Sequence, residues 1–120
     1  MGTKRKVTST NYRNRSFLEK KCSLNELLDL VSKRWISEVL FCIAEGNNRF
    51  RTIKEELTFI SDTVLADRLK LLEKCAFIHK VALPAMPVRV EYSLTENGKT
   101  LCRLLETMCN FSDTLPGMNN

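Results

Sequence analysis

A chain of 120 residues, 43% hydrophobic and 28% charged, has the length of one domain and can bury a core without disulfide or metal support. Its apolar runs last only a few residues, far short of the ~20 that a membrane-spanning helix needs. The basic start Met1–Lys6 has no apolar stretch behind it, which argues against a secretory leader, and Lys6 stands where a myristoylation signal wants Ser or Thr. Nineteen Lys and Arg against 14 Asp and Glu give a net charge of +5, but the excess is local. Residues 1–21 carry seven cations against Glu19 alone, so the body from Cys22 onward is almost neutral.

The segment 1–21 reads as a basic, partly disordered arm, either an anchor for a polyanion or simply a solvated terminus. Behind it, Leu24, Leu27, Leu28 and Val31 recur at three to four residues and predict an amphipathic helix, with Ser23 and Glu26 spaced as a capping box. Trp35, Ile36, Val39, Leu40 and Ile43 predict a second helix with Trp35 in the core, closing at Glu45-Gly46-Asn47-Asn48. Phe50, Ile53 and Leu57 mark a short third helix that ends at Thr58-Phe59-Ile60.

Ser61 is placed to cap a fourth helix over about Asp62 to Cys75, and Asp62 suits the positive end of its dipole. At 100° per residue Val64, Leu65, Leu69, Leu71, Leu72 and Cys75 share one side, while Thr63, Ala66, Asp67, Lys70 and Lys74 share the other. The period then falls to two: residues 77–81 and 89–94 predict two strands joined across Leu83-Pro84-Ala85-Met86-Pro87, with His79 or Lys80 lying across from Arg89. Thr95 caps a last helix in which Leu101, Leu104, Leu105, Met108 and Phe111 form a wide stripe, with Cys102 and Cys109 beside it. Residues 113–120 should fray.

Five cysteines without a C-x-x-C pair, and His79 as the one imidazole, predict reduced thiols in a cytoplasmic protein without a metal site. There is no phosphate-cradling glycine motif, and no acid, base and nucleophile converge in the pattern. The chain is therefore expected not to be an enzyme and to need no cofactor.

Two short helices joined by a few residues, the second with a polar outer face and followed at once by a hairpin, give the order of a winged helix-turn-helix. The expected class is mostly helical α+β, with 22–112 as a winged-helix domain carrying N- and C-terminal dimerisation helices, since their surplus apolar stripes suit a second copy. The residues also resemble a family. Cys22, Trp35, Asn48-Arg49-Phe50-Arg51-Thr52-Ile53, Ile60-Ser61, the run Leu65 to Glu73, and Pro87-Val88-Arg89-Val90-Glu91-Tyr92-Ser93-Leu94-Thr95-Glu96-Asn97-Gly98 are similar to HxlR-type transcriptional regulators, relatives of the MarR group, from about Cys22 to Phe111. The chain departs from that pattern at Ser23, where the family has proline, at Ala76, where it has glycine, and before Trp35, where Lys33-Arg34 replace a glycine-lysine pair. The resemblance implies a homodimeric DNA-binding protein that represses or activates transcription.

On that reading double-stranded DNA with a roughly palindromic site is the partner. Ser61, Thr63, Ala66 and Asp67 lie nearest the bases, because the first turns of a helix reach deepest into the major groove. Ser61 is also first of all a cap, and Asp67 could accept from a cytosine amine. Lys70, farther along, suits a phosphate, as do Arg49 and Arg51 at the start of the third helix, and Arg89 suits a narrow minor groove. Arg68 falls among the apolar positions and suits an ion pair or a snorkelling stem. Cys22, after Lys20-Lys21 and before a helix, is the redox-sensing candidate, with an inert half-buried thiol as the alternative. The resemblance adds that some members respond through a cysteine there; a small effector is the other modulator. The other four cysteines are expected to be ordinary small apolar residues. A winged-helix module that binds protein and not specific DNA is the competing function.

Overall fold

The computed structural model describes residues 21–117, the side chains of Lys21 and Cys22 excepted. The basic arm, apart from Lys21, and residues 118–120 lie outside the described residues. The chain parts into two units between Lys33 and Arg34.

The first unit holds α1, Lys21–Ser32. Leu24 and Leu28 are exposed and Leu30 is buried. The helix is already under way at Lys21, so Ser23 lies within it and not at the cap expected from the Ser23–Glu26 spacing. At the other end the Ser32 hydroxyl donates to the Asp29 carbonyl at 3.0 Å.

The second unit runs α2 (Ile36–Ala44), α3 (Phe50–Glu56), α4 (Asp62–Lys74), β1 (Ile78–Leu83), β2 (Arg89–Leu94) and α5 (Glu96–Ser112). Five helices and one two-stranded antiparallel sheet make the described chain a mostly helical α+β winged helix. Among these residues no helix is long and apolar enough to cross a membrane. α2 is the central element, packed against α3, α4, α5 and β2. Ile36, Val39 and Leu40 have no exposure at all, and each contributes roughly 1.5–3 kcal/mol by burial.

Trp35 is not in this helix. It precedes it in the left-handed region at φ 79°, and its carbonyl accepts the bond from Val39 N–H at 2.9 Å. It is half-buried, not core, with the Arg34 guanidinium 4.9 Å from its ring centroid. The ring serves as a cation–π platform for its neighbour because the cap position turns it out of the helix's buried face.

The junction after α4 is a complete Schellman motif: Phe77 N–H donates to the Leu72 carbonyl at 2.9 Å and Ala76 N–H to the Glu73 carbonyl at 3.0 Å. The motif places its residue after the cap in the left-handed region, and Ala76 stands there at φ 65°. Thr95 closes the same corner, its hydroxyl accepting from Gly98 N–H at 2.9 Å and donating to the Ala76 carbonyl at 2.7 Å. A Cβ on Gly98 would lie 2.1 Å from the Phe77 carbonyl oxygen, so this helix start can approach the hairpin only through a glycine.

β1 runs two residues further than expected, to Leu83. The register pairs Leu83 with Arg89 and Ile78 with Leu94. His79 and Lys80 therefore face Ser93 and Tyr92, at the far end of the hairpin from Arg89. Only five residues close the loop, and that length sets the register.

Candidate nucleic-acid interface

α4 is set by its own pattern. The Ser61 hydroxyl accepts from Val64 N–H at 3.1 Å, and Asp62 lies in the first turn. Leu65, Leu69 and Leu72 point into the core with at most 2% exposure, while Thr63, Ala66, Asp67 and Lys70 are exposed along the other side. The helix thus shows solvent a small polar face with one free hydroxyl group, one methyl, one carboxylate and, with the exposed Lys74, two ammonium groups.

The turn before it is pinned by Lys54. Its ammonium donates to the Ile60 carbonyl at 2.8 Å and pairs with Asp62 at 3.3 Å, joining α3 to the start of α4. Lys54 was not singled out by sequence reasoning, although a lysine eight residues before an acidic first-turn residue is a readable signal for such a strap. Phe59 in the same turn is 88% exposed, where the sequence pattern marks only a helix stop.

Arg49 stands at the N-cap of α3, where its N–H donates to the Thr52 hydroxyl at 3.4 Å and its carbonyl accepts from that hydroxyl at 3.0 Å. Arg49 and Arg51 are both exposed. Arg68 and Asp67 pair with each other, and Arg68 Nε donates to the Arg34 carbonyl at 2.8 Å. Of the two readings of Arg68, the ion pair is the one present. It also engages the carboxylate of Asp67, which in this arrangement is not an unoccupied acceptor for a base. On the wing Arg89 pairs with Glu91 at 3.5 Å, and the loop beside it shows Met86 and Val88 to solvent.

The thiols divide. Cys42 and Cys102 are buried; Cys75 and Cys109 are exposed. Cys75 follows the last turn of α4 as its C-cap, and the turn to Ala76 carries it out of the leucine face. Burial above all, then Glu56 and Glu45, pushes the Cys42 thiol up, and burial followed by Glu106 does the same for Cys102. Both are poor thiolates at neutral pH. Cys22 carries no described side chain. Among the described residues no group of His, Cys, Asp and Glu is arranged to hold a metal.

The winged-helix fold is shared with known proteins. The family model described as HxlR-like helix-turn-helix matches residues 30–118. The chain belongs to that family. YvaP of Bacillus subtilis, an uncharacterised HTH-type transcriptional regulator, is 41% identical over 78 residues, 65% of this chain and 72% of that protein. YodB of Bacillus subtilis, an HTH-type transcriptional regulator, is 34% identical over 90 residues, 75% of this chain and 80% of its own length. The structure of reduced YodB superposes with a TM-score of 0.73 at 33% identity, covering 78% of this chain and 92% of YodB. YodB has also been solved diamide-treated and quinone-bound. The oxidised form of the redox regulator HypR gives a TM-score of 0.69 at 26% identity, covering 78% of this chain and 97% of HypR. The HxlR-like member described here shares its winged-helix fold with the YodB and HypR structures.

Proposed function

We propose that the protein is a homodimeric, sequence-specific double-stranded DNA-binding regulator of transcription, working in the cytoplasm on a roughly palindromic operator. The observation that carries this reading is the two-sidedness of α4: Leu65, Leu69 and Leu72 are sealed in the core and Thr63, Ala66 and Lys70 are left to solvent. Thr63 and Ala66 read base edges by hydrogen bond and methyl contact, and Ser61 holds the helix end toward the groove by capping it. Asp67 contributes to base readout once it exchanges Arg68 for a cytosine amine. Lys70, Arg49 and Arg51 neutralise phosphates, and Arg89 reaches the minor groove from the wing after leaving Glu91.

The dimer forms through α1 and α5, whose exposed Leu24, Leu28, Leu104, Met108 and Phe111 suit a second copy. The domain division is then a basic arm at 1–21, the winged-helix domain with its dimerisation helix at 22–112, and a frayed tail at 113–120. Thiol chemistry at Cys22 modulates binding; this rests on the naming of HypR as a redox regulator and on the reduced, diamide-treated and quinone-bound forms of YodB. A small effector has an open groove of about 630 Å³ in which to bind, lined by Ile43, Asn48, Val81, Tyr92, Leu94 and Lys99 among others.

The test is selection from random duplexes with the full chain, followed by anisotropy titration across salt. The expected result is one palindromic consensus, with a log–log salt slope of about −0.9 per phosphate neutralised. Equal affinity for selected and random duplex at moderate salt would leave the protein-interaction module as the better reading.

A further inference from the structure

We infer that Phe59 is a specificity determinant whose ring packs on the C5-methyl of a thymine at the edge of the groove entered by α4; this rests on the DNA-binding reading above. Phe59 is 88% exposed, yet the next residue, Ile60, is 1% exposed. The ring is therefore turned out of a turn that Ile60 anchors in the core. Thr58, just before it, has φ 36°, a left-handed conformation that a β-branched residue adopts only at a cost.

Two locally unfavourable features thus stand side by side, and the turn is not loose enough to shed them. Lys54 ties the following carbonyl at 2.8 Å and Asp62 at 3.3 Å, so the ring projects from a fixed base two residues before the Ser61 cap. That is the positive end of the α4 dipole and the end of a recognition helix that lies closest to bases.

The surroundings decide between DNA and another protein chain. The exposed apolar residues of α5, namely Leu104, Met108 and Phe111, recur at helical spacing and form a stripe, the form that a partner helix takes. Phe59 has no such company in its turn: Thr58, Ser61, Asp62 and Thr63 beside it are polar and exposed, and α3 before it presents Arg51, Glu55 and Glu56. A single apolar ring in polar surroundings is complementary to a thymine methyl, which is a single apolar group on the polar edge of a groove. A phenyl ring has no donor or acceptor, so it distinguishes thymine by the methyl alone.

The experiment uses the full-length protein and its selected operator, with each thymine replaced in turn by deoxyuridine, a change that removes only the methyl. For the native protein one symmetry-related thymine should cost about fourfold in affinity per half-site, the factor a buried methyl is worth. Phe59→Ala should bind the unmodified operator as weakly as the native protein binds the uracil one, and should no longer distinguish the two. Phe59→Leu should keep part of the discrimination. Since the ring is solvent-exposed, both variants should melt at or above the native temperature. Native affinity and an unchanged thymine–uracil pattern in Phe59→Ala would overturn the inference while leaving the regulator reading intact. So would a shift in sedimentation with DNA affinity unchanged, which would assign the ring to a protein contact. A native protein blind to every selected duplex would overturn both.

Discussion

Helices α4 and α5 begin in the same way, each on a hydroxyl that accepts from a first-turn N–H, Ser61 from Val64 and Thr95 from Gly98. They end with opposite surfaces. The 13 residues of α4 bury Leu65, Leu69 and Leu72 and leave a polar face outside. The 17 residues of α5 bury Gly98, Leu101 and Cys102 and then run on with Leu104, Met108 and Phe111 between 52% and 62% exposed. Both are amphipathic; the difference is length relative to the core. α4 stays over α2 and β1, whereas the apolar face of α5 continues after its buried residues are used. The spare surface of the first helix suits a polyanion, that of the second a copy of itself.

The largest effect that would test this contrast lies on the inner face of α4. Leu65→Ala should cost about 2–5 kcal/mol, read as a lower denaturant midpoint with an unchanged slope. Next comes Leu104→Glu combined with Phe111→Glu, which should convert dimer to monomer in sedimentation while the circular dichroism of the fold persists, and weaken operator binding at least tenfold; a double variant that stays dimeric would break the assignment of α5. On the outer face of α4, Lys70→Ala should weaken all duplexes alike and lower the salt slope by about 0.9 per subunit, whereas Thr63→Ala should change the preferred base at one position per half-site. Ala76→Gly should raise stability by about 0.5–1 kcal/mol, because the left-handed position suits glycine better even after its greater unfolded-state entropy is counted.

The smallest effect is a slope with pH. Burial raises the Cys42 and Cys102 thiols, and burial followed by Glu73 raises the Tyr92 hydroxyl. All three hold their protons more tightly folded than unfolded. Their contribution is full below the ordinary thiol range and is lost as pH rises through the raised values. The melting temperature should therefore decline on the alkaline side, less steeply in Cys102→Ala than in the native chain.

Helix periodicity read the order of elements well, because burial repeats every three to four residues whatever the neighbours are. The face of α4 was legible for that reason, and so were the Ser61 and Thr95 caps, whose partners lie three residues away. The readings that failed needed longer range or a backbone angle. Ser23 has the residues of a capping box, but the helix begins before it. Trp35 has the composition of a core residue, but its left-handed backbone places it at a cap. Arg89 faces Leu83 and not His79 because loop closure, not alternation, sets register. Cys75 leaves the leucine side because the helix has ended there.

Residue order alone determined that this chain makes a winged helix with one polar helix face and two apolar end helices, since hydrophobic spacing, caps and turn residues act over a few positions each. Only the folded chain decided which of the candidate side chains are already engaged. Arg68 finds Asp67 next to it but also a carbonyl 34 residues earlier, Lys54 closes a turn that includes an exposed ring, and Gly98 is required by the Phe77 carbonyl oxygen in the turn after α4. Hydrogen bonds and ion pairs act over a few ångströms in space, and distance along the chain does not measure that.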